Sequence, residues 1–223
     1  KFFLFSSFCI GLTLFLGFWQ LERLKWKQSV ISEFNNLIEQ KPLSLSMGKM
    51  KYRNLEEFTK VIANGKIDRS KKIFFPAKTY NGKNGVIIAS LLIDNHGNQY
   101  LLDEGWFEQN KYTYFKNSSE IISSEILGYI RFPTTKKLFT PSNSIENNEW
   151  YYYDLKEIQN FLGVEINQKF FIKNLSKHNE NFLYPSSVNH NLSNNHLQYA
   201  ITWFVMSFSF LVIFLIYLTR KNK

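Results

Sequence analysis

The sequence predicts an α+β membrane protein in which two transmembrane helices flank a central domain dominated by antiparallel β-strands, with short helices. Residues 2–19 and 199–218 carry no charged side chain, and each run is close to the roughly 20 residues needed to cross a hydrocarbon core. Between them lie short β-rich runs separated by turn clusters. We therefore predict a first transmembrane helix over 1–21, a central domain over 22–198, a second transmembrane helix over 199–219 and a basic tail over 220–223.

The first apolar run has two interpretations, a secretory signal peptide and an uncleaved anchor. The run is longer than a signal-peptide core, and bulky, charged residues follow it in place of a small-x-small cleavage site. We therefore expect an anchor. Because the first residue is Lys, we also expect a short leader before the numbered chain.

The charges around the two spans disagree about orientation. Basic residues over 220–223 favour a cytoplasmic or matrix C-terminus. The basic residues over 23–27, which follow the first span on the opposite side, favour the reverse. The charge pattern alone leaves both orientations open.

The composition excludes several classes of function. The net charge is +9, but the basic residues are dispersed and no recognition-helix or zinc-finger spacing occurs, so we expect membrane lipids and not nucleic acid as partners. Cys9 is the only cysteine, which excludes intrachain disulfides and cysteine-based metal clusters. No nucleophile elbow, phosphate-binding glycine loop or His-x-x-x-His pair is present, so we do not expect an enzyme. Asp103 and Glu104 are neighbours on a predicted strand and should face opposite sides.

The central domain begins with a helix over 31–40 that continues from the membrane and ends at Lys41-Pro42. Residues 56–64 fit either a short helix or a strand. The clearest element is a hairpin of strands 85–93 and 99–107, joined by a turn in which Gly97 takes positive φ. Gly105 indicates a bulge or a close backbone approach. Further strands are predicted over 126–132, 150–154 and 169–174, with a helix over 155–162 closed by Gly163 and an extended loop over 176–195. One arrangement of these strands is a partly closed, barrel-like sheet.

The four histidines differ in context. We expect a structural role for His96 at the hairpin tip, and solvated side chains for His178 and His190 in the polar loop. His196 lies at the mouth of the second span, where a histidine can bind a metal or haem. The alternative is a polar cap at the membrane interface, followed by an aromatic belt.

A helix that starts near residue 195 places residues 196, 200, 203 and 207 on one face. Small residues at Ala200 and Ser207 leave a slot beneath His196, with Trp203 on the same face and Tyr199 beside it. A flat macrocycle could lie there. Alternatively, the slot admits another helix, for which Ser7 and Gly11 of the first span are candidates.

The residues around His196 belong to one of four motifs through which the chain resembles the surfeit-locus family of cytochrome c oxidase assembly factors almost from end to end. The motifs are Gly17-x-Trp19-Gln20-x-x-Arg23-x-x-Trp26-Lys27, Gly105-Trp106, Gly128-x-x-Arg131-x-Pro133 and Asn194-Asn195-His196-Leu197-x-Tyr199-Ala200-x-Thr202-Trp203-Phe204. The first and last motifs together are specific for this family, whereas Gly105-Trp106 alone would be weak evidence for it.

The resemblance implies two helices in the inner membrane, termini inside and a domain in the periplasm, or in the mitochondrial intermembrane space if the host is eukaryotic. It implies transient binding of haem a, with His196 as the axial iron ligand and Tyr199 and Trp203 packed on the macrocycle. The implied partners are oxidase subunit I and, as a further candidate, haem a synthase. The alternative is a scaffold that grips subunit I through its strand surface and Trp106 and binds no cofactor.

One position departs from the family pattern. The family usually has Arg before the Gly-Trp pair, where this chain has Glu104. If that Arg contacts a haem propionate or a partner acid in relatives, Arg131 or Arg23 would have to do so here.

Overall fold

The computed structural model describes residues 2–45, 55–176, 182–185 and 195–221, without the side chains of residues 30, 33–35, 37, 38 and 221. His178, His190 and most of the predicted loop over 176–195 lie outside the described residues. The chain divides into two compact units, one formed by Lys1–Asn36 with Asn189–Lys223 and the other by Leu37–Val188.

The first unit is a pair of long apolar helices. Helix α1 covers Phe2–Glu39 and helix α4 covers His196–Lys221. Within them, Phe2–Ser29 and His196–Arg220 are long and apolar enough to cross a membrane. Most of their large apolar side chains are exposed, as a lipid-facing surface would be. Helix α1 runs on past the first predicted span, as the pattern over 31–40 indicated.

The second unit contains a six-stranded mixed sheet in the order β1-β2-β3-β4-β6-β5. The strands are β1 (Leu43–Ser44), β2 (Lys60–Tyr80), β3 (Lys83–Asp94), β4 (Gln99–Glu108), β5 (Ile121–Arg131) and β6 (Phe171–Asn174). The β1–β2 and β4–β6 pairings are parallel, and the others are antiparallel. Strand β2 additionally pairs with β5; a barrel-like closure stays a prediction.

The predicted hairpin is present as β3 and β4. Gly97 has φ 79°, and Asp94 Oδ1 accepts the backbone N–H groups of His96 and Asn98, both at 2.8 Å. The side chain of His96 is exposed. The turn residues between the two strands were therefore enough to predict this hairpin from the sequence.

Strand β2 is the longest strand, and the sequence pattern did not predict it as a whole. Its first half does alternate: the odd-numbered residues over 61–69 are buried, and the even-numbered residues between them are less so. Because Arg69 is buried but charged, the alternation of burial does not show as an alternation of apolar and polar residues in the sequence. Residues 56–58 form part of a turn, and the undecided segment over 56–64 is a strand from Lys60 onward.

The strand predicted over 150–154 is wrong. Trp150 is fully buried and its N–H donates to the Phe74 carbonyl of β2 at 2.8 Å. The pairing stops there, because the next N–H, that of Tyr151, donates to the Asn143 side chain at 2.8 Å. The next helix was predicted correctly: α3 covers Leu155–Leu162, and Gly163 ends it in the left-handed conformation. A short helix, α2 (Tyr112–Asn117), was not predicted.

The core of the second unit consists of three clusters of buried side chains. One joins β2, β3 and β4 to helix α3 and includes Phe75, Trp150 and Ile158. A second lies around Leu92, Tyr100 and Ile130. The third gathers Phe74, Phe107 and Phe115 beside helix α2. Helices α2 and α3 are thus held by packing on the sheet.

Candidate functional site

His196 is the first residue of α4 and is half-buried. Its Nδ1 lies 2.7 Å from Oε1 of Gln20 on α1. An amide oxygen can only accept a hydrogen bond, so in the neutral ring that makes this contact the imidazole proton is on Nδ1. The lone pair is then on Nε2, the atom that could bind a metal.

The small residues of α4 face α1. Ala200 is 1% exposed and Ser207 is 3% exposed, and the Ser207 hydroxyl donates to the Ile10 carbonyl at 3.4 Å. Among the α1 residues whose side chains are described, the buried positions are Ser6, Thr13 and Gly17. The expected contact through Ser7 and Gly11 is wrong, because both are exposed. Helix packing therefore occupies the slot predicted beneath His196.

Two aromatic residues lie near His196 on α4. Trp203 is half-buried, and Tyr199 is 54% exposed. The helix thus brings His196 and Trp203 onto the face turned towards α1, while Tyr199 points outward beside them. A role of the three residues in cofactor binding stays a prediction.

Gly17 and Phe204, from two different motifs, meet at the helix contact. A Cβ at Gly17 would lie 2.6 Å from Cε1 of the Phe204 ring, which is closer than a van der Waals contact. Phe18 adds an edge-to-face contact with the same ring at 5.3 Å. On the same helix, Arg23 lies over the Trp26 ring at 4.2 Å.

Glu104, which stands where the family usually has Arg, is fully buried on β4. Arg69 Nη2 donates to its Oε2 at 2.8 Å, and the Ser90 hydroxyl donates to its Oε1 at 2.5 Å. The side chain therefore lies inside the central domain and cannot reach a bound molecule at the surface. Here the position has a structural role.

Asp103 and Glu104 contact different partners, as their adjacent positions predicted. Asp103 Oδ2 accepts from Tyr153 Oη at 2.7 Å and from Lys173 Nζ at 2.9 Å. Burial, followed by the nearby Asp103 carboxylate, raises the pKa of Tyr153 well above its usual value. The two carboxylates do not form an acid/base pair. No group of three or more potential metal-binding residues occurs in the described part of the chain.

The Gly105-Trp106 motif is part of the core. Gly105 has φ 141° at a bulge in β4, and a Cβ there would collide with the Tyr184 carbonyl. Trp106 is 7% exposed, and its Nε1 donates to the Lys78 carbonyl at 3.1 Å. The expectation that Trp106 is a docking residue of a scaffold is therefore wrong, since almost none of its surface is accessible.

The Gly128-x-x-Arg131-x-Pro133 motif also has structural partners. Arg131 Nε donates to Glu57 Oε1 at 2.8 Å, and its guanidinium lies over the Phe58 ring at 4.8 Å. A Cβ at Gly128 would lie 2.6 Å from the Lys173 carbonyl oxygen of β6. These contacts hold β5 against β6 and against the turn before β2.

The contact between Gln20 and His196 was not predicted. Both residues occur in the quoted motifs, but 176 positions separate them, and no local pattern links residues so far apart. The signal available in the sequence was the presence of a polar Gln20 at the end of an apolar span.

The model of the SURF1 family matches residues 7–208. The SURF1-like protein of Rickettsia prowazekii is 32% identical over 216 residues, covering 93% of this chain and 85% of that protein. The SURF1-like protein of Rickettsia felis is 29% identical over 93% of this chain and 91% of its own length. Surfeit locus protein 1 of Homo sapiens is 28% identical over 86% of this chain and 69% of its own length.

Proposed function

This chain belongs to the SURF1 family, and from that we propose that it is a membrane-anchored assembly factor for haem-copper cytochrome c oxidase. In this proposal it binds haem a transiently and helps to deliver it to oxidase subunit I. It acts as a chaperone and not as an enzyme. Haem a synthase is a candidate donor, and membrane lipids surround the two helices.

The observation that carries the proposal is the contact between His196 and Gln20. In the neutral Nδ1–H tautomer it orients the imidazole ring and leaves the lone pair on Nε2, which is how proteins commonly orient a metal-binding histidine. Haem iron takes a histidine as an axial ligand. A single protein ligand suits a carrier, because the cofactor must be held and then released.

Since helix packing occupies the slot beneath His196, a haem on this histidine would have to lie beside the slot, along the exposed surface of Tyr199. Tyr199 offers an exposed aromatic surface and Trp203 a half-buried one, and both can pack on a flat macrocycle. Arg23 lies one helical turn after Gln20 on α1 and is exposed, so it is our candidate partner for a propionate. Arg131 belongs to the other compact unit and is paired with Glu57, so we do not propose it as a partner.

We place the two helices in the inner membrane of a bacterium, or of a mitochondrion if the host is eukaryotic. The termini lie inside and the central domain lies in the periplasm or intermembrane space. The length and apolar composition of α1 and α4 support the two spans. Family membership supports the orientation, which the charge pattern leaves open.

The haem proposal is tested with the absorption spectrum of the detergent-purified full chain from cells that make haem a. We expect a haem a spectrum for the unaltered chain and its loss in His196→Ala. The matched control is His96→Ala, which removes an exposed histidine on the β3–β4 turn and should keep the spectrum. A colourless unaltered chain, despite haem a in the same membranes, would overturn the proposal.

Gln20 provides a second test, because it acts on the haem only through His196. Gln20→Leu removes the acceptor at nearly constant size, and we expect haem affinity to fall about tenfold or more, as for other partners of metal ligands. Gln20→Glu supplies a carboxylate acceptor and should restore binding. Gln28→Leu, at an exposed position of the same helix, is the control. Equal affinities in all three variants would show that the contact does not orient the ligand.

The alternative function is a scaffold that grips oxidase subunit I and binds no cofactor. One observation favours it: Leu138 and Phe139 are 88% and 93% exposed in the loop after β5, next to Lys136 and Lys137. The two side chains are adjacent along the chain, and contact sites are formed by contiguous exposed apolar surface. If the scaffold is correct, Phe139→Ser should abolish oxidase assembly and His196→Ala should leave it nearly intact.

A further inference from the structure

A cavity of about 370 Å³ lies in the central domain, beside the middle of β2. Helix α2, the end of helix α3 and residues 147–148 form its other walls. Three lysines line it: Lys71, Lys72 and Lys116. No acidic residue is among the described residues that line the cavity.

The lysines keep donors available for a ligand. Lys72 Nζ donates to the carbonyls of Arg69 and Ser118, and Lys71 Nζ donates to the carbonyl of Leu162 at 2.9 Å. Each ammonium group has three N–H donors, so these bonds leave one donor on Lys72 and two on Lys71. All three acceptors are uncharged, and none neutralises a lysine.

The electrostatics of the cavity favour an anion. Burial, followed by the positive charge of Arg69, lowers the pKa of Lys72. Glu104 and Asp68 oppose this shift, but Glu104 is bonded to Arg69, and Asp68 accepts the backbone N–H of Ser70 at 2.9 Å. An anion in the cavity would supply the missing counter-charge at short range.

The rest of the lining suits an organic molecule. Phe161 provides the accessible part of an apolar wall, since Phe74 and Leu162 in the same lining are only 2% and 3% exposed. Tyr112 also lines the cavity. The volume is within the range of about 300–1,000 Å³ that is typical of small-molecule sites. A single inorganic ion would leave most of this space and the apolar wall unused.

We propose that this cavity binds a small organic anion, whose phosphate or carboxylate group contacts Lys71, Lys72 and Lys116 and whose compact apolar body packs on Phe161 and Tyr112. The site uses no residue of the haem proposal and lies wholly within the central domain. It can therefore be correct or wrong independently of haem binding.

The test is isothermal titration calorimetry on the purified full chain, with phenyl phosphate as the probe and sodium chloride at equal ionic strength as the reference. Lys72→Gln removes a half-buried charged donor, and we expect phenyl phosphate affinity to fall about tenfold. Lys116→Gln removes an exposed charge and should lower the affinity about two- to fivefold. Lys66→Gln, at an exposed position of β2 outside the cavity, makes the same charge change and should have no effect.

A stability measurement and a comparison of ligands complete the test. Lys116→Gln should keep the melting temperature of the unaltered chain, so it remains informative even if Lys72→Gln fails to fold. Vesicles of phosphatidylglycerol and inorganic phosphate alone are compared with phenyl phosphate. Tighter binding of phenyl phosphate than of either supports the proposal. Equal effects of Lys66→Gln and Lys116→Gln, or binding to the vesicles alone, would overturn it.

Discussion

Among single residues, Glu104 gives the clearest case of a charge whose role depends on burial. Its side chain and that of Arg69 are both 0% exposed. Removing one partner leaves the other charge buried and unpaired, which typically costs about 3–5 kcal/mol. We therefore expect Glu104→Gln to lower the free energy of unfolding of the central domain by about 3 kcal/mol, since the amide can still accept from Arg69.

The measurement is thermal or denaturant unfolding of the purified chain, followed by the fluorescence of the buried tryptophans. Glu125→Gln makes the same chemical change at an exposed position of β5 and should shift the unfolding midpoint very little. Equal midpoints for the two variants would show that the Arg69–Glu104 pair is energetically neutral.

The sequence allowed His196 to be identified as a candidate ligand, but not what orients it. Histidine at the mouth of an apolar span is unusual enough to be singled out, whereas the Gln20 contact depends on how two distant helices pack. Glu104 shows the same limit. Glutamate is rarely buried, and its partner Arg69 is 35 positions away, so no local pattern predicts either the burial or the pairing.

Among secondary-structure elements, those with local signals were predicted and those without were missed. Helix α3 has its own cap residues: Asp154 accepts the N–H groups of Lys156 and Glu157, both at 3.1 Å, and Gly163 ends the helix. Strand β2 has no such signals. It is interrupted by bulges between Asp68 and Lys72 and between Phe75 and Lys78, which break the period-two pattern on which strand prediction depends.

The contact between α1 and α4 depends on the close approach of Gly17 to the Phe204 ring. Gly17→Leu would place a side chain where the Phe204 ring lies, so the ring must move and the two helices must separate. We expect a lower melting temperature of the helix pair and loss of the His196–Gln20 contact, and with it loss of bound haem a.

Gly11→Leu is the matched control, because a Cβ at Gly11 meets nothing within 4 Å and the added side chain would face lipid. The two variants are compared by haem content and by thermal aggregation in detergent. Similar behaviour of both would indicate that the close approach at Gly17 is not needed to hold the helices together.

For the molecule as a whole, the sequence predicted the order of the apolar helices and the β-rich domain along the chain better than it predicted how the elements pack together. Two apolar runs around a β-rich centre were visible from composition and period. The lysine cavity was not, because its walls come from residues 70–74, 112–116, 147–148 and 161–162. These segments meet only after β2 has paired and helices α2 and α3 have packed on the sheet.

The topology of the molecule gives the last prediction. If α1 and α4 both span the membrane, the two termini share one side and the central domain occupies the other. In a Cys9→Ser background, we compare Leu138→Cys with a cysteine added after Lys223. Because Leu138 is 88% exposed, its thiol should react with a membrane-impermeant maleimide in intact spheroplasts, whereas the C-terminal thiol should react only after the membrane is disrupted. Labelling of both thiols in intact spheroplasts would contradict two spans, and labelling of the C-terminal thiol alone would mean the reverse orientation.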